Sequence, residues 1–354
     1  MIAVLLALML QAEAVETDPI ADLISATTEA RETDAPEMDA QEPEVTPDVV
    51  NRYGVEITDE LQEAVLASWS AYSHTQATEF GQNNSLRHTR VRRWFFDPWC
   101  HGNQIEGGLL VCRAAPGTVV QIGDRTILAA RNGLAVHGLE RSSPESIELS
   151  FVLPTGEVLG RQMMTIAQRD YDIQRVEGVP QRTVTPDPST LQRRQREYAQ
   201  KQTAFNSLWD GQGFLDGFIA PATGITTGVY GSQRVYNGTP RSPHWGHDYA
   251  NDIGTPVSAP ASGRVTLAEA DMYYEGGLIF IDHGQGLVSA FLHMSAVHVS
   301  EGDIVEQGQL IGEIGAGGRA TGPHLDWRVK LRNGFYVDPA LLLELDLSGY
   351  ETGE

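Results

Sequence analysis

Residues 321–329 read TGPHLDWRV. A Gly-Pro turn is followed by a run with strand character, and side chains along a strand alternate between its two faces. His324 and Asp326 therefore project one way, and Leu325 and Trp327 the other. The second face is apolar and reads as core. The first carries an imidazole and a carboxylate, both of which are good zinc ligands.

Two upstream stretches hold residues of the same kinds. RSPHWGHDYANDIGTPVSAPASGRV, residues 241–265, sets His244 four positions before Asp248, with Gly246 giving the backbone room to turn. GLVSAFLHMSAV, residues 286–297, reads as an alternating strand that ends at His293. Taken singly these are weak signals. An isolated HxxxD is most often solvated surface, and a lone strand histidine is most often a satisfied structural group. Their order along one chain is the stronger observation.

That order, HxxxD, then a strand ending in LH, then GPHL, resembles the M23 metallopeptidases, the lysostaphin-like peptidoglycan endopeptidases. The framing stretches HGQGLVSAFLHMS (283–295), VSEGDIVEQGQLIGEIG (299–315) and GRATGPHL (318–325) belong to the resemblance, which covers about residues 212–340. It implies a lysostaphin-like antiparallel β-sheet domain, expected over 212–348. His244 and Asp248 are implied as metal ligands, and His293 and His324 as catalytic histidines. The implied third ligand is the second histidine of an HxH motif. Here that position is Asp326, a departure from the pattern.

The implied cofactor is Zn²⁺, held by His244, Asp248 and Asp326. Three protein ligands leave a position for water, whose pKa zinc lowers to about 7. A neutral histidine can take a proton, and a second can stabilise developing charge or protonate a leaving amine. Three readings of Asp326 stand open: a working carboxylate ligand, a mark of decay in a domain that only binds, or a bystander rescued by His247. If it is a ligand, it makes the donor set more negative than one with two histidines. That is expected to polarise water less and to admit Mn²⁺ or Co²⁺ more readily.

The rest of the chain frames this domain. Its 354 residues are 41% hydrophobic and include 36 glycines and 18 prolines, which favours a mainly β, turn-rich architecture. A formal net charge of −22 argues against a nucleic-acid partner and against docking on anionic lipid. MIAVLLALMLQAEA, residues 1–14, is expected to be a signal peptide cleaved after Ala14, although no basic residue precedes its apolar run. No stable membrane insertion is then expected after cleavage. Residues 15–50 are acidic and proline-rich and are expected to be a disordered tether. In 51–91 a helix is expected over 58–74, with Thr58 as N-cap and Leu61, Val65, Leu66 and Trp69 on one face.

Residues 92–173 alternate in short runs broken by PG, GD and NG, which predicts an immunoglobulin-like β-sandwich. Cys100 and Cys112, an even pair in an exported chain, are expected to form a disulfide. A charged helical linker is expected in 174–211, and 349–354 is a tail.

The leading expectation is an exported zinc endopeptidase, periplasmic or secreted, acting on peptide cross-links of peptidoglycan. The alternative is a catalytically silent module that binds the wall or regulates another wall hydrolase. A biotinyl- or lipoyl-type carrier, suggested by VSEGDIVEQGQLIGEIG, lacks a modifiable lysine: none lies between Lys201 and Lys330. His283 reads as a turn residue, and Tyr230 and Tyr236 as packing residues.

Overall fold

The computed structural model describes residues 50–68, 95–177, 188–332 and 334–347. The expected signal peptide, nearly all of the tether, Trp69 of the expected helix and the C-terminal tail lie outside them.

The first described element is α1, residues 59–68. Thr58 caps it, its Oγ1 accepting from the Leu61 amide at 3.3 Å. Leu61 and Val65 are buried one turn apart, as helical spacing requires. Seven strands follow: β1 (Trp99–Gly102), β2 (Leu109–Arg113), β3 (Val119–Ile122), β4 (Arg125–Leu128), β5 (Leu134–Gly138), β6 (Ser146–Val152) and β7 (Val158–Thr165). They form two antiparallel sheets, ordered β1-β2-β5 and β4-β3-β6-β7. Cys100 and Cys112 stand directly opposite each other on β1 and β2 and are joined by a disulfide.

Alternate residues of β2 and β5 point to different cores. Leu110, Cys112 and Ala135 pack with the residues of β3, β6, β7 and α1. Leu109, Val111, Leu134 and Val136 instead join the core of the C-terminal half, with Leu331 and Val337. The small sheet is thus buried on both faces.

Next come β8 (Ile173–Val176) and α2 (Leu191–Phe205). The C-terminal half contains β9 (Ile225–Gly228), β10 (Gln233–Tyr236), β11 (Thr239–Pro240), β12 (Gly246–Ala250), β13 (Pro256–Ser258) and β14 (Gly263–Met272). It continues with β15 (Gly276–Asp282), β16 (Leu287–Val297), β17 (Ile304–Val305), β18 (Leu310–Ile314), β19 (His324–Leu331), β20 (Tyr336–Val337) and a short helix, α3 (Pro339–Leu342).

The main sheet has the order β17-β14-β15-β16-β19-β12-β9. One of its faces packs on the large core that includes Leu325, Trp327 and Val329 of β19. On the other face, Leu292, Ala290 and Val288 of β16 lie opposite Asp326, Arg328 and Lys330 of β19. The β16 residues there are covered by Ala204 and Phe205 of α2. The polar residues of β19 and the end of α2 therefore share one face of the sheet.

β8 stands apart from the strands that precede it. It pairs in parallel with β10, Gln174 opposite Arg234, and β11 completes a three-stranded sheet. Among the described residues no helix is long and apolar enough to cross a membrane.

Candidate metal and catalytic site

β12 and β19 run antiparallel with Asp248 directly opposite Asp326 and Ala250 opposite His324. Directly opposed side chains share a face of the sheet, so pairing alone brings the two carboxylates together. His244 lies just before β12. Its Nε2 is 3.1 Å from Asp248 Oδ1 and 3.6 Å from Asp326 Oδ2. One donor atom from each of the three residues lies within 4.8 Å of the others.

Two glycines make room. A Cβ on Gly246 would meet Asp326 Oδ1, and one on Gly228 would meet Asp248 Oδ2. Gly246 was expected to let the chain turn. It is the first residue of β12, and what it clears is space for a facing carboxylate.

The donor set fits a divalent cation. Asp248 Oδ1 is buried without a hydrogen bond, although it faces His244 Nε2 closely. Two lone-pair atoms turned to a common point suit a cation between them. Without one, burial pulls the His244 pKa down, but contacts with Asp248 and Asp326 outweigh that and hold it at about 10. Asp326 is 2% exposed, and burial raises its pKa. Arg328 and His244 more than offset this and keep it well below the usual carboxylate range.

His247 does not join the group. It alternates to the other face of β12, where its Nε2 is 3.1 Å from Thr226 Oγ1 and its ring is 4.8 Å from that of Tyr249. Asp326 points to His244 and Asp248, so the rescue by His247 is set aside.

His293 and His324 lie beside this group with ring centroids 4.8 Å apart. His293 was expected to end its strand. β16 in fact continues to Val297, and His293 sits inside it at φ 66°, where the pairing shifts register. This local irregularity re-aims a side chain as β-bulges do. His293 Nδ1 is 2.9 Å from the Gly317 carbonyl, and His324 Nδ1 is 2.8 Å from the Gly322 carbonyl. A carbonyl can only accept, so Nδ1 donates in both and each neutral ring has its lone pair on Nε2. Burial, the largest influence on His293, pushes its pKa below the usual histidine value and favours that neutral form.

A groove of about 940 Å³ contains all five residues, with walls that include Arg234, Tyr236, Trp245 and Arg319. Trp245 stacks on Tyr336 at 5.5 Å, and Tyr230 donates to the Tyr336 carbonyl at 3.0 Å. Behind β19 the polar atoms are satisfied. Trp327 Nε1 donates to Ser289 Oγ at 3.1 Å, and Ser289 Oγ is 2.8 Å from His283 Nε2. His283 is thus a buried structural group whose pKa burial lowers to about 4.

One residue of this centre was not singled out from sequence. Arg328 grips Asp326, with Nε 3.1 Å from Oδ1 and 3.0 Å from Oδ2, and Nη2 2.5 Å from Oδ2. Its signal was present: strand alternation puts residues 324, 326 and 328 on one face.

Residues 242–339 match the family described as Peptidase family M23. Over 91 residues the chain is 38% identical to the peptidoglycan DD-endopeptidase ShyB of Vibrio cholerae, covering 26% of this chain and 21% of that protein. Over 96 residues it is 41% identical to the DD-carboxypeptidase/endopeptidase Mpg of Neisseria meningitidis, covering 27% and 22%. The matched region thus spans about a fifth of the length of these curated relatives. A crystal structure assigned to peptidase M23 from Pseudomonas aeruginosa aligns over 68% of this chain and 95% of its own, with 28% identity and a TM-score of 0.51. Residues 242–339 of this mainly β chain are thus similar in sequence to Peptidase family M23, and its fold is similar to that of an M23 crystal structure.

Proposed function

We propose that this chain is an exported metallo-endopeptidase that hydrolyses peptide cross-links of bacterial peptidoglycan. The observation that carries the reading is the convergence of His244, Asp248 and Asp326 beside two histidines with Nε2 lone pairs, all in one groove. The relatives named as peptidoglycan endopeptidases supply the substrate class.

In this reading His244, Asp248 and Asp326 hold zinc. A bound zinc ion supplies Lewis acidity and a water acidified to near neutral pH. The chain's own residues do the rest. His293 and His324 each offer Nε2 to take up a proton and return it to the leaving amine. The Gly317 and Gly322 carbonyls fix their tautomers. The walls around Trp245 and Tyr236 hold an extended peptide. Export agrees with the disulfide, which persists in oxidising compartments. The bond expected to be cut joins D-alanine to a diamino acid.

A second reading, a silent binding module, draws on one observation. Arg328 already engages both oxygens of Asp326, so the cluster has an internal cation. One experiment separates the two. The full chain is incubated with purified sacculi, with zinc or with a chelator, and released fragments are identified by mass spectrometry. Chelator-sensitive release of cross-linked peptides is expected. Sacculus binding without release, by a protein that retains no metal, would establish the silent module instead.

A further inference from the structure

Asp326 differs from an imidazole ligand in charge, and the structure contains a residue that answers that difference. Arg328 follows Asp326 by two positions on the same face of β19. Its guanidinium folds back to make three contacts with the carboxylate at 2.5–3.1 Å. Asp326 is almost wholly buried, and the Arg328 side chain is 29% exposed. The pair has room because the residue opposite Arg328 on β12 is Gly246. A Cβ at that position would meet both Asp326 Oδ1 and Arg328 Cγ.

We propose that Arg328 is a positioning residue that makes Asp326 serve as the third ligand. Its fork fixes the carboxylate's orientation, and its charge cancels the one by which aspartate exceeds histidine. The inference rests on the metal-centre reading above. Two carboxylates, one neutral imidazole and one guanidinium together carry a single negative charge, the same as one carboxylate and two neutral imidazoles. The lower polarising power expected from Asp326 alone is thereby offset. A guanidinium suits the task because its planar donors match a carboxylate and it stays protonated. Partners that orient metal ligands are worth about 10–100-fold in metal affinity.

The test uses the full chain, stripped of metal and titrated with Zn²⁺ against a competing chelator. The absorption spectrum of the Co²⁺-loaded protein gives a second readout of ligand geometry. Arg328→Gln is expected to weaken zinc binding by about 10–100-fold and to alter the Co²⁺ spectrum. Arg328→Lys should recover part of the loss, because it restores charge but not the fork. Asp326→His alone leaves the guanidinium facing a cation without an anion between them, so adding Arg328→Gln to it should tighten binding. This pair of variants carries the test if Arg328→Gln alone fails to fold. The inference is overturned if both Arg328 variants bind zinc as tightly as the parent or more tightly, which would make Arg328 a competitor of the metal. It is also overturned if Asp326→His binds equally well with and without Arg328→Gln. A parent protein that takes up no zinc removes the metal-centre reading together with the inference. A parent that binds zinc, with indifferent Arg328 variants, removes the inference alone.

Discussion

At the scale of single residues, the metal-free site is held together by His244, shared between two carboxylates. Its raised pKa fixes the direction of a pH effect. The stability this cluster contributes is fully present below the unfolded histidine pKa of about 6.5 and is lost as pH rises through about 10. Thermal melts of the chelated protein should therefore fall between pH 7 and pH 10, and His244→Asn should flatten that slope. An unchanged slope in the variant would sink the assignment. Under the proposed function, His293→Ala and His324→Ala should keep zinc binding yet lower kcat by about 100-fold or more. Metal content and turnover, measured on the same preparations, check this. From sequence these five residues were named through the resemblance to the M23 pattern, since each motif taken singly is weak, and the fold places them in one groove. Arg328 was not named, because an arginine on an exposed strand face is ordinary until its partner's burial is known.

At the scale of elements, α2 does more than connect. Its Glu197 accepts from the Tyr273 amide at 2.9 Å, Arg194 reaches the Tyr274 hydroxyl at 3.2 Å, and Lys201 pairs with Glu275. Residues 273–275 in turn hold the site. The Glu275 carbonyl accepts from the His293 amide at 2.7 Å, and the Tyr274 carbonyl accepts from the Arg319 amide at 2.9 Å. One helix thus braces the loop that supports the bulged histidine. Lys201→Ala leaves the largely buried Glu275 unpaired and should loosen that loop. The expected result is a 10–100-fold drop in kcat with unchanged zinc affinity. Loss of zinc in step with activity would instead point to general unfolding. From sequence this helix read as a charged linker, because its partners lie more than 70 positions away and its only buried apolar residues are the last two, Ala204 and Phe205.

At the scale of the whole molecule, the two halves share a wall. Every residue of β2 and β5 is buried, and Arg169 reaches from the end of the first half to Asp338, Nη1 to Oδ2 at 2.8 Å. A fragment beginning at residue 212 would expose Leu331 and Val337, which pack beside Gly138. It should melt at lower temperature than the full chain and bind a hydrophobic dye. Equal melting temperatures would show that the shared wall contributes nothing. From sequence this stretch was read as short alternating runs, yet LLVC and LAV are continuously apolar, as suits strands covered on both faces. What covered the second face was not visible, because it is supplied by residues such as Leu331 and Val337, far downstream in the chain.

The parallel pairing of β8 with β10 has a consequence for how this molecule can change over time. Asp172 and Gln174 of that arm line the groove beside Arg234. They lie well outside residues 242–339, which contain His244, Asp248, His293, His324 and Asp326. Under the proposed function, substitutions in the arm would reshape what the groove admits while those five residues stay as they are. On that reading, substrate preference and chemistry drift on separate stretches of one chain.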